Sequence, residues 1–324
     1  GPRRLGPPYE RPGVSPVFEQ LADWLGVSTL ILYPAIAFVL LGLSCGMVGS
    51  LVVANRMAFF SDAMAHTAFA GVAFGLLSVI VFAGVGSTRA VDDYTIEIAL
   101  VMVAVGLAAG FGIGYVRERT GLTNDTVIGV FFALAIGVGS MLLPAVRRSV
   151  NVDIDQFLFG SVIFADQSDL WLLAGLAAVT ALVVGWRYNA LVFASFNPSL
   201  ARSRGVQIGL NNYLFIALLV CVVNLSVKSV GALLINALLV VPAAAGANLG
   251  RNLRQVFWWT LAASVGSGLL GLLLSYYLIV PIGRGREPLT FGPSGTTVVL
   301  CVLWFFATMV WAAVRRRGAG EHAG

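Results

Sequence analysis

The chain has 324 residues, of which 58% are hydrophobic and 11% are charged, and its mean hydropathy is +0.90. These values lie far outside the usual composition of soluble proteins and exclude an ordinary soluble domain. The net charge of +5 comes from arginines scattered mostly singly or in pairs between apolar segments, so it indicates membrane topology rather than nucleic-acid binding. The composition predicts an all-α polytopic membrane protein, a helical bundle in the lipid bilayer.

The chain divides into a tail, a membrane region and a second tail. Residues 1–29 are a predicted N-terminal tail, in which residues 17–26 have the apolar spacing of a short amphipathic interfacial helix. Residues 30–314 form the predicted transmembrane domain, and residues 315–324 a cytoplasmic C-terminal tail. Apolar runs predict spans at about 30–54, 62–82, 94–116, 126–146, 170–186, 213–227, 230–247, 256–277 and 296–314. The number of spans is eight or nine, depending on how the two short runs around Lys228 are counted.

The distribution of arginines favours nine spans. Three consecutive arginines, at 315–317, follow the last span and place the C-terminus in the cytoplasm by the positive-inside rule. Counting back through nine spans places Arg56, Arg117, Arg119, Arg202, Arg204, Arg251 and Arg254 on the same side. The rule is satisfied only in part, because the arginines of the N-terminal tail and several others then lie outside.

The most informative stretch is residues 55–74, which contains Asp62 and His66 at the start of an apolar helix. Residues four apart on a helix project from one face about one turn apart, so both side chains can reach one ligand. A carboxylate oxygen and a neutral imidazole nitrogen are donors that Zn²⁺, Mn²⁺ and Fe²⁺ all accept. The alternative is an ion pair or a capping arrangement, with Asp62 near the positive end of the helix dipole.

A second informative stretch lies between two later spans. Asn197 is a good N-cap, Pro198 suits the first helical position, and Gly205 can end the helix. The short helix between them is predicted to contain Leu200, Ala201, Arg202 and Arg204. It can contact a soluble partner at the membrane face, or it can be an ordinary helix of a surface loop.

Several segments, in this order, resemble the permease of ABC importers for zinc, manganese or iron. The first half contributes CGMVGSLVVANRMAFFSDAMAHTAFAGVAFG (45–75), NDTVIGVFFALAIGVGSMLL (124–143) and DIDQFLFGSVI (153–163). The second half contributes FNPSLARSRGV (196–206), VGALLINALLVVPAAAGANL (230–249) and GLLLSYYLIVPIG (271–283). The resemblance covers about residues 30–314, nearly the whole chain outside the tails.

The resemblance implies a function and a set of partners. The permease would be a homodimer in the bacterial inner membrane, with cytoplasmic ABC ATPase subunits and an extracytoplasmic metal-binding protein. Asp62 and His66 would line the path of a divalent metal ion, which is the transported cargo, and no permanently bound cofactor is expected. The helix from Asn197 to Gly205 would be the coupling helix that contacts the ATPase.

The remaining metal ligands are not fixed by the sequence. The predicted spans contain no second histidine, so further donors must be oxygen or backbone groups, or come from the second subunit. Candidates are Glu97, Asp125 and Asn236, although an interfacial position explains Glu97 and helix capping explains Asp125 better than ligation does. These oxygen and nitrogen donors do not separate Zn²⁺ from Mn²⁺ or Fe²⁺.

Other functions fit the sequence less well. The chain has no G-x-x-x-x-G-K-[ST] motif and only one lysine, Lys228, so it is not expected to hydrolyse ATP itself. A permease for chelated iron or cobalamin needs a wide cavity rather than a ligand pair such as Asp62 and His66. An ion-coupled secondary carrier is a second alternative, but internal repeats typical of such carriers are not evident. An intramembrane metalloenzyme is disfavoured because H-E-x-x-H is absent.

Overall fold

A computed structural model describes residue 24 and residues 28–83, 95–147, 167–196, 203–205, 207–278 and 291–321. Within these ranges the chain forms long α-helices and no strands. The helices are α1 (Thr29–Ala54), α2 (Ala58–Ala83), α3 (Thr95–Thr120), α4 (Asn124–Arg147), α5 (Gln167–Phe196), α6 (Ile208–Val230), α7 (Ala232–Leu249), α8 (Leu253–Tyr277) and α9 (Pro293–Glu321). The all-α prediction is confirmed.

All nine of these helices are long and apolar enough to cross a bilayer. The segments on either side of Lys228 are separate helices, because α6 ends at Val230 and α7 begins at Ala232. The single residue between them, Gly231, has a φ of 88°, which an L side chain rarely adopts. The described residues therefore contain nine candidate spans, which is the higher of the two predicted counts, and the chain is a multi-pass membrane protein.

Helices α1, α2, α6 and α7 form the centre of the bundle. Helix α1 contacts α5, α6, α7 and α8, and α2 contacts α3, α4, α6 and α7. Large side chains of α1, α2 and α6 that are fully buried, such as Phe38, Met64 and Leu219, fill the space between them. Helices α4 and α9 lie at the periphery, and most residues of their apolar segments are not buried within this chain.

Glycines allow the central helices to approach closely. A Cβ atom on Gly49 of α1 would meet the backbone carbonyl of Leu239 in α7, and one on Gly42 would lie 2.8 Å from the Cα of Val265 in α8. In α2, a Cβ atom on Gly71 would lie 2.8 Å from the Cα of Met102 in α3. Such backbone contacts through small residues are typical of helix packing in membranes, as the glycine-rich spans predict.

Side-chain contacts identify one end of the bundle. Arg117 Nη1 lies 3.6 Å from Met57 Sδ, and Tyr213 OH donates a hydrogen bond to Glu118 Oε2 at 3.1 Å. These contacts place the start of α2, the end of α3 and the start of α6 together. The helix order then brings several arginines to this end, namely Arg56, Arg117, Arg119, Arg204, Arg251 and Arg254. We call it the arginine-rich end.

Some helix boundaries differ from the sequence prediction. Helix α2 begins at Ala58 rather than near Asp62, because Ser61 Oγ donates to the Ala58 carbonyl oxygen at 3.0 Å and the polar residues are accommodated within the helix. Helix α5 extends past the predicted end at Trp186 to Phe196, and the Arg187 guanidinium lies over the Trp186 ring, 5.0 Å from its centroid. Helix α7 continues through Pro242 to Leu249.

Two predicted segments lie largely outside the described residues. The amphipathic segment at 17–26 is represented only by Trp24, which is helical and exposed. For the partly apolar stretch 147–169 the sequence predicts an ordered loop with a short helix or re-entrant turn that does not span the membrane, and residues 148–166 of it lie outside the described residues.

Candidate metal path

A tight turn between α1 and α2 fixes the start of the helix that contains Asp62 and His66. The Met57 N–H donates to the Val52 carbonyl oxygen and the Arg56 N–H to the Val53 carbonyl oxygen, both at 3.1 Å. This is the hydrogen-bond pattern of a Schellman motif, in which the residue with positive φ is usually glycine. Here it is Arg56, with φ of 54°. Asn55 Nδ2 also donates to the Leu51 carbonyl oxygen at 2.8 Å, so the helix end is held by both backbone and side chain.

Asp62 lies in the second turn of α2 and is bound by a residue from α7. Asn236 Nδ2 donates a hydrogen bond to Asp62 Oδ1 at 2.8 Å, although the two residues are 174 positions apart in sequence. Both side chains are half-buried. Asp62 lies five residues beyond Met57, which is about 8 Å from the arginine-rich end along the helix axis. The carboxylate is therefore inside the membrane span and has a neutral hydrogen-bond donor as its partner.

Asp62 lines a cavity of about 340 Å³ between α2 and α4. The wall from α2 includes Phe59, and the wall from α4 consists of Asp125, Ile128, Gly129 and Phe132. Two carboxylates, one on each helix, thus face the same volume. Carboxylates are strong acceptors and attract cations, and they are costly to expose to lipid, so this face suits a hydrated path or a protein partner.

His66 lies one helical turn beyond Asp62 and contacts the wall of the same cavity. Its ring packs edge-to-face against Phe132, with ring centroids 4.7 Å apart and ring planes at 82°. His66 is half-buried and is not itself among the residues that line the cavity. Phe132 is thus the residue through which His66 contacts the cavity wall.

The other predicted ligand candidates have three different positions. Glu97 is exposed in the first turn of α3, and its neighbour Ile98 packs against Gly75 of α2. Gly75 is thirteen residues from Asp62, about 20 Å along the helix, so Glu97 is remote from the site. Asp125 lines the cavity, and Asn236 binds Asp62 directly.

Capping does not explain Asp125 as the sequence analysis expected. Helix α4 begins at Asn124, which places Asp125 within its first turn. Thr123 precedes the helix, and its Oγ1 accepts a hydrogen bond from the Thr126 N–H at 3.4 Å. The N-cap is thus Thr123, because its hydroxyl reaches the orphan N–H three residues later. The Asp125 carboxylate is left to face the cavity.

Sequence reasoning missed the aromatic walls of the site. Phe59 and Phe132 read as ordinary apolar helix residues, and no pattern marks which face of α4 meets α2. Among the described residues, no group of three or more His, Cys, Asp or Glu side chains is placed to hold a metal ion. The structure brings Asp62 and the amide of Asn236 together and places His66 one turn further along the same helix.

The predicted coupling segment is described only in part. Asn197, Pro198, Leu200, Ala201 and Arg202 lie outside the described residues. Ser203 is helical and is followed by a turn at Arg204 and Gly205, where Gly205 has a φ of 77°, as a glycine that ends a helix does. The segment follows the end of α5, where Val192 lines a cavity of about 480 Å³ with Asn55 and Arg56. It therefore joins the bundle at the arginine-rich end.

The described residues form nine apolar helices, and Asp62, His66 and Asn236 lie within their spans. These features are those of a multi-pass membrane permease. The chain belongs to the ABC 3 transport family, whose model matches residues 28–312. It is 27% identical over 249 residues to the manganese import system permease protein ScaB of Streptococcus gordonii, covering 76% of this chain and 83% of that protein.

Two further comparisons agree with this family. The chain is 27% identical over 287 residues to the high-affinity zinc uptake system membrane protein ZnuB of Haemophilus influenzae, covering 88% of this chain and 98% of that protein. Its fold matches a chain in the structure of PsaBC from Streptococcus pneumoniae in complex with Fab, with a TM-score of 0.70 and 23% identity. That match covers 90% of this chain and 94% of the other. The chain is the permease subunit of an ABC transporter.

Proposed function

We propose that this permease imports a divalent transition metal ion into the bacterial cytoplasm across the inner membrane, with Asp62 and His66 as the transient metal site. The observation that carries the proposal is the position of Asp62, held by Asn236 and facing a cavity inside the membrane span. The relatives named for manganese and zinc uptake support the same class of cargo. A chelated-iron permease or an ion-coupled carrier finds no comparable support.

An incomplete ligand set is suited to transport. A site with a complete and rigid coordination shell would retain the ion, whereas conduction requires binding that is weak enough to release it. The carboxylate, the imidazole and the amide of one subunit supply three ligand groups, and water can fill the remaining positions. The ion would be delivered by an extracytoplasmic metal-binding protein and would leave at the arginine-rich end.

A second copy of the permease would complete the path. Helix α4 exposes Gly129 and Gly137, and a Cβ atom on either would have no neighbour within 4 Å. Gly129 lines the cavity with Asp62 and Asp125, where lipid contact is unfavourable for the carboxylates, and Gly137 lies about two turns further along the same helix. Close helix contact through such small residues is typical of membrane interfaces. We therefore place the subunit contact of a homodimer on this face.

Cytoplasmic ATPase subunits would drive the transport cycle. The predicted coupling helix, Asn197 to Gly205, directly follows α5 in the sequence, and the last turns of α5 line a cavity with the ends of α1 and α7 and the start of α8. A short helix at this junction can transmit a displacement to all four spans. The proposed coupling helix would act on the end of α7 at Ala247, which is eleven residues, or about 16 Å, along that helix from Asn236.

Uptake in proteoliposomes tests the proposed function. The permease is reconstituted with its ATPase and metal-binding protein, and entry of Mn²⁺, Zn²⁺ and Fe²⁺ is measured with and without ATP. We expect ATP-dependent uptake of Mn²⁺ or Zn²⁺. Uptake that needs no ATP would favour an ion-coupled carrier and would contradict the proposal.

Reversal of charge at Arg204 tests the coupling segment. The residue is exposed at the arginine-rich end, so Arg204→Glu is expected to lower transport-coupled ATP hydrolysis by about tenfold, because a like-charged or unpaired contact opposes docking of a partner. Metal binding to the purified permease should be unchanged. Arg251→Glu, at another exposed arginine of the same end, is the matched control and should have a smaller effect. Equal effects of both substitutions would indicate a general loss of surface charge instead.

A further inference from the structure

The amide of Asn236 has one satisfied and one unsatisfied end. Its Nδ2 donates to Asp62 Oδ1, but its Oδ1 is buried and has no hydrogen-bond partner among the described residues. A buried acceptor without a partner is destabilising, so such groups are uncommon and call for an explanation. A transported cation that visits the site would supply the missing partner.

Two other buried asparagines show why Asn236 differs. Asn224 and Asn211 also have an unpartnered Oδ1. Their Nδ2 groups, however, donate to backbone carbonyl oxygens, that of Met102 at 3.1 Å and that of Gln207 at 2.9 Å. Those bonds are structural links to backbone acceptors that cannot ionise. Asn236 instead donates to an ionisable side chain that lines a cavity.

The geometry brings two oxygens within reach of one ion. Standard bond lengths place the nitrogen and oxygen of an amide about 2.3 Å apart, so Asn236 Oδ1 lies no more than about 5 Å from Asp62 Oδ1. Divalent cations bind oxygen ligands at about 2.0–2.6 Å, and one ion can therefore contact two oxygens that are about 4–5 Å apart. Only a small rotation of either side chain is needed.

We propose that Asn236 is a specificity-determining contact for the cargo, orienting Asp62 through Nδ2 and offering Oδ1 to the ion. This inference rests on the proposed function. A carbonyl oxygen is a hard, neutral donor of the kind that suits Mn²⁺, whereas imidazole suits Zn²⁺. Adding it to Asp62 and His66 raises the relative affinity for Mn²⁺ without adding charge that would retain the ion.

Metal binding to the purified permease in detergent tests this role. Mn²⁺ binding is followed by the electron paramagnetic resonance signal of the free ion, and Zn²⁺ binding by competition. Asn236→Leu, which removes both amide atoms, is expected to lower Mn²⁺ affinity by at least about tenfold and Zn²⁺ affinity less. Asn236→Asp, which keeps an oxygen at this position, should retain or raise Mn²⁺ affinity, because the ion can bridge two carboxylates.

The controls separate ligation from a structural role. Asn224→Leu removes a buried amide away from Asp62 and should leave the ratio of Mn²⁺ to Zn²⁺ affinity unchanged. The inference is overturned if Asn236→Leu leaves that ratio unchanged, or if the Leu and Asp variants weaken both metals equally. Asn236→Ser replaces the Leu variant if the latter is not monodisperse. Binding that survives Asp62→Asn would overturn the proposed site itself, whatever Asn236 does.

Discussion

Uptake of the metal ion is expected to be lost when His66 is replaced by phenylalanine. The substitution removes both ring nitrogens but keeps an aromatic ring that can pack edge-to-face against Phe132, so the local structure should survive. Loss of one donor from such a small set should lower metal affinity by more than about tenfold. Even residues that only hydrogen-bond to a metal ligand typically contribute about tenfold or more to the affinity. Uptake in proteoliposomes and metal binding in detergent measure the two effects separately.

His66→Ala and Asp62→Asn extend this result. The alanine variant should also lose uptake and, in addition, lose about 1 kcal/mol of stability with the ring contact to Phe132. Asp62→Asn keeps the shape of the side chain and removes the charge that attracts the ion. All three variants should still assemble with the ATPase, because the substitutions are about 8 Å or more inside the span.

Glu97→Gln is the matched control for these variants. It also removes a carboxylate from a membrane helix, but Glu97 is exposed and remote from Asp62, and uptake should be normal. Normal uptake by His66→Phe would contradict the assignment of the imidazole as a metal donor. Loss of uptake in Glu97→Gln would indicate that any change of charge in the spans is harmful.

The sequence was sufficient for the parts of this structure that depend on local pattern. Apolar runs bounded by arginines predicted the spans, because the bilayer requires about twenty apolar residues for each helix. The spacing of Asp62 and His66 placed them on one helix face, since four residues correspond to about one turn. The count of nine depended on Gly231, whose positive φ separates two short helices that hydropathy alone left ambiguous.

The parts that depend on packing between distant segments could not be predicted. Nothing in the sequence shows that Asn236 of α7 meets Asp62 of α2, because their contact arises from the way α1, α2 and α7 pack. The start of α2 was placed too late because polar side chains near Asp62 suggested a break, whereas Ser61 is satisfied within the helix. Asp125 was interpreted as a cap because the sequence does not show which residue makes the capping hydrogen bond. In the structure the Thr126 N–H donates to Thr123 Oγ1, which makes Thr123 the cap.

The largest effect on stability is expected at the contact between α1 and α7. In Gly49→Val, the new side chain would overlap the backbone carbonyl of Leu239, and neither backbone can move without separating buried helices. Overpacking of this kind typically costs about 1–3 kcal/mol and more where the obstacle is backbone rather than a side chain. We expect a loss of most folded protein, or a markedly lower midpoint of thermal unfolding in detergent.

The free cysteines of the bundle provide the measurement. Cys45 and Cys301 are buried thiols in α1 and α9, so a thiol-reactive dye will label them as the helices separate on heating. Gly185→Val is the matched control, because Gly185 lies within α5 and a Cβ atom there would have no neighbour within 4 Å. The control differs from the parent only in helix propensity, which is more favourable for valine than for glycine by about a few tenths of a kcal/mol.

The same substitution links packing to the metal site. Leu239 lies three residues from Asn236 on α7, so a displacement of α7 from α1 would also move the amide away from Asp62. The smaller substitution Gly49→Ala should therefore weaken Mn²⁺ binding even where the protein remains folded. If Gly49→Val unfolds at the same temperature as Gly185→Val, then α1 and α7 are not in close backbone contact. The position of Asn236 beside Asp62 would then lose its structural basis.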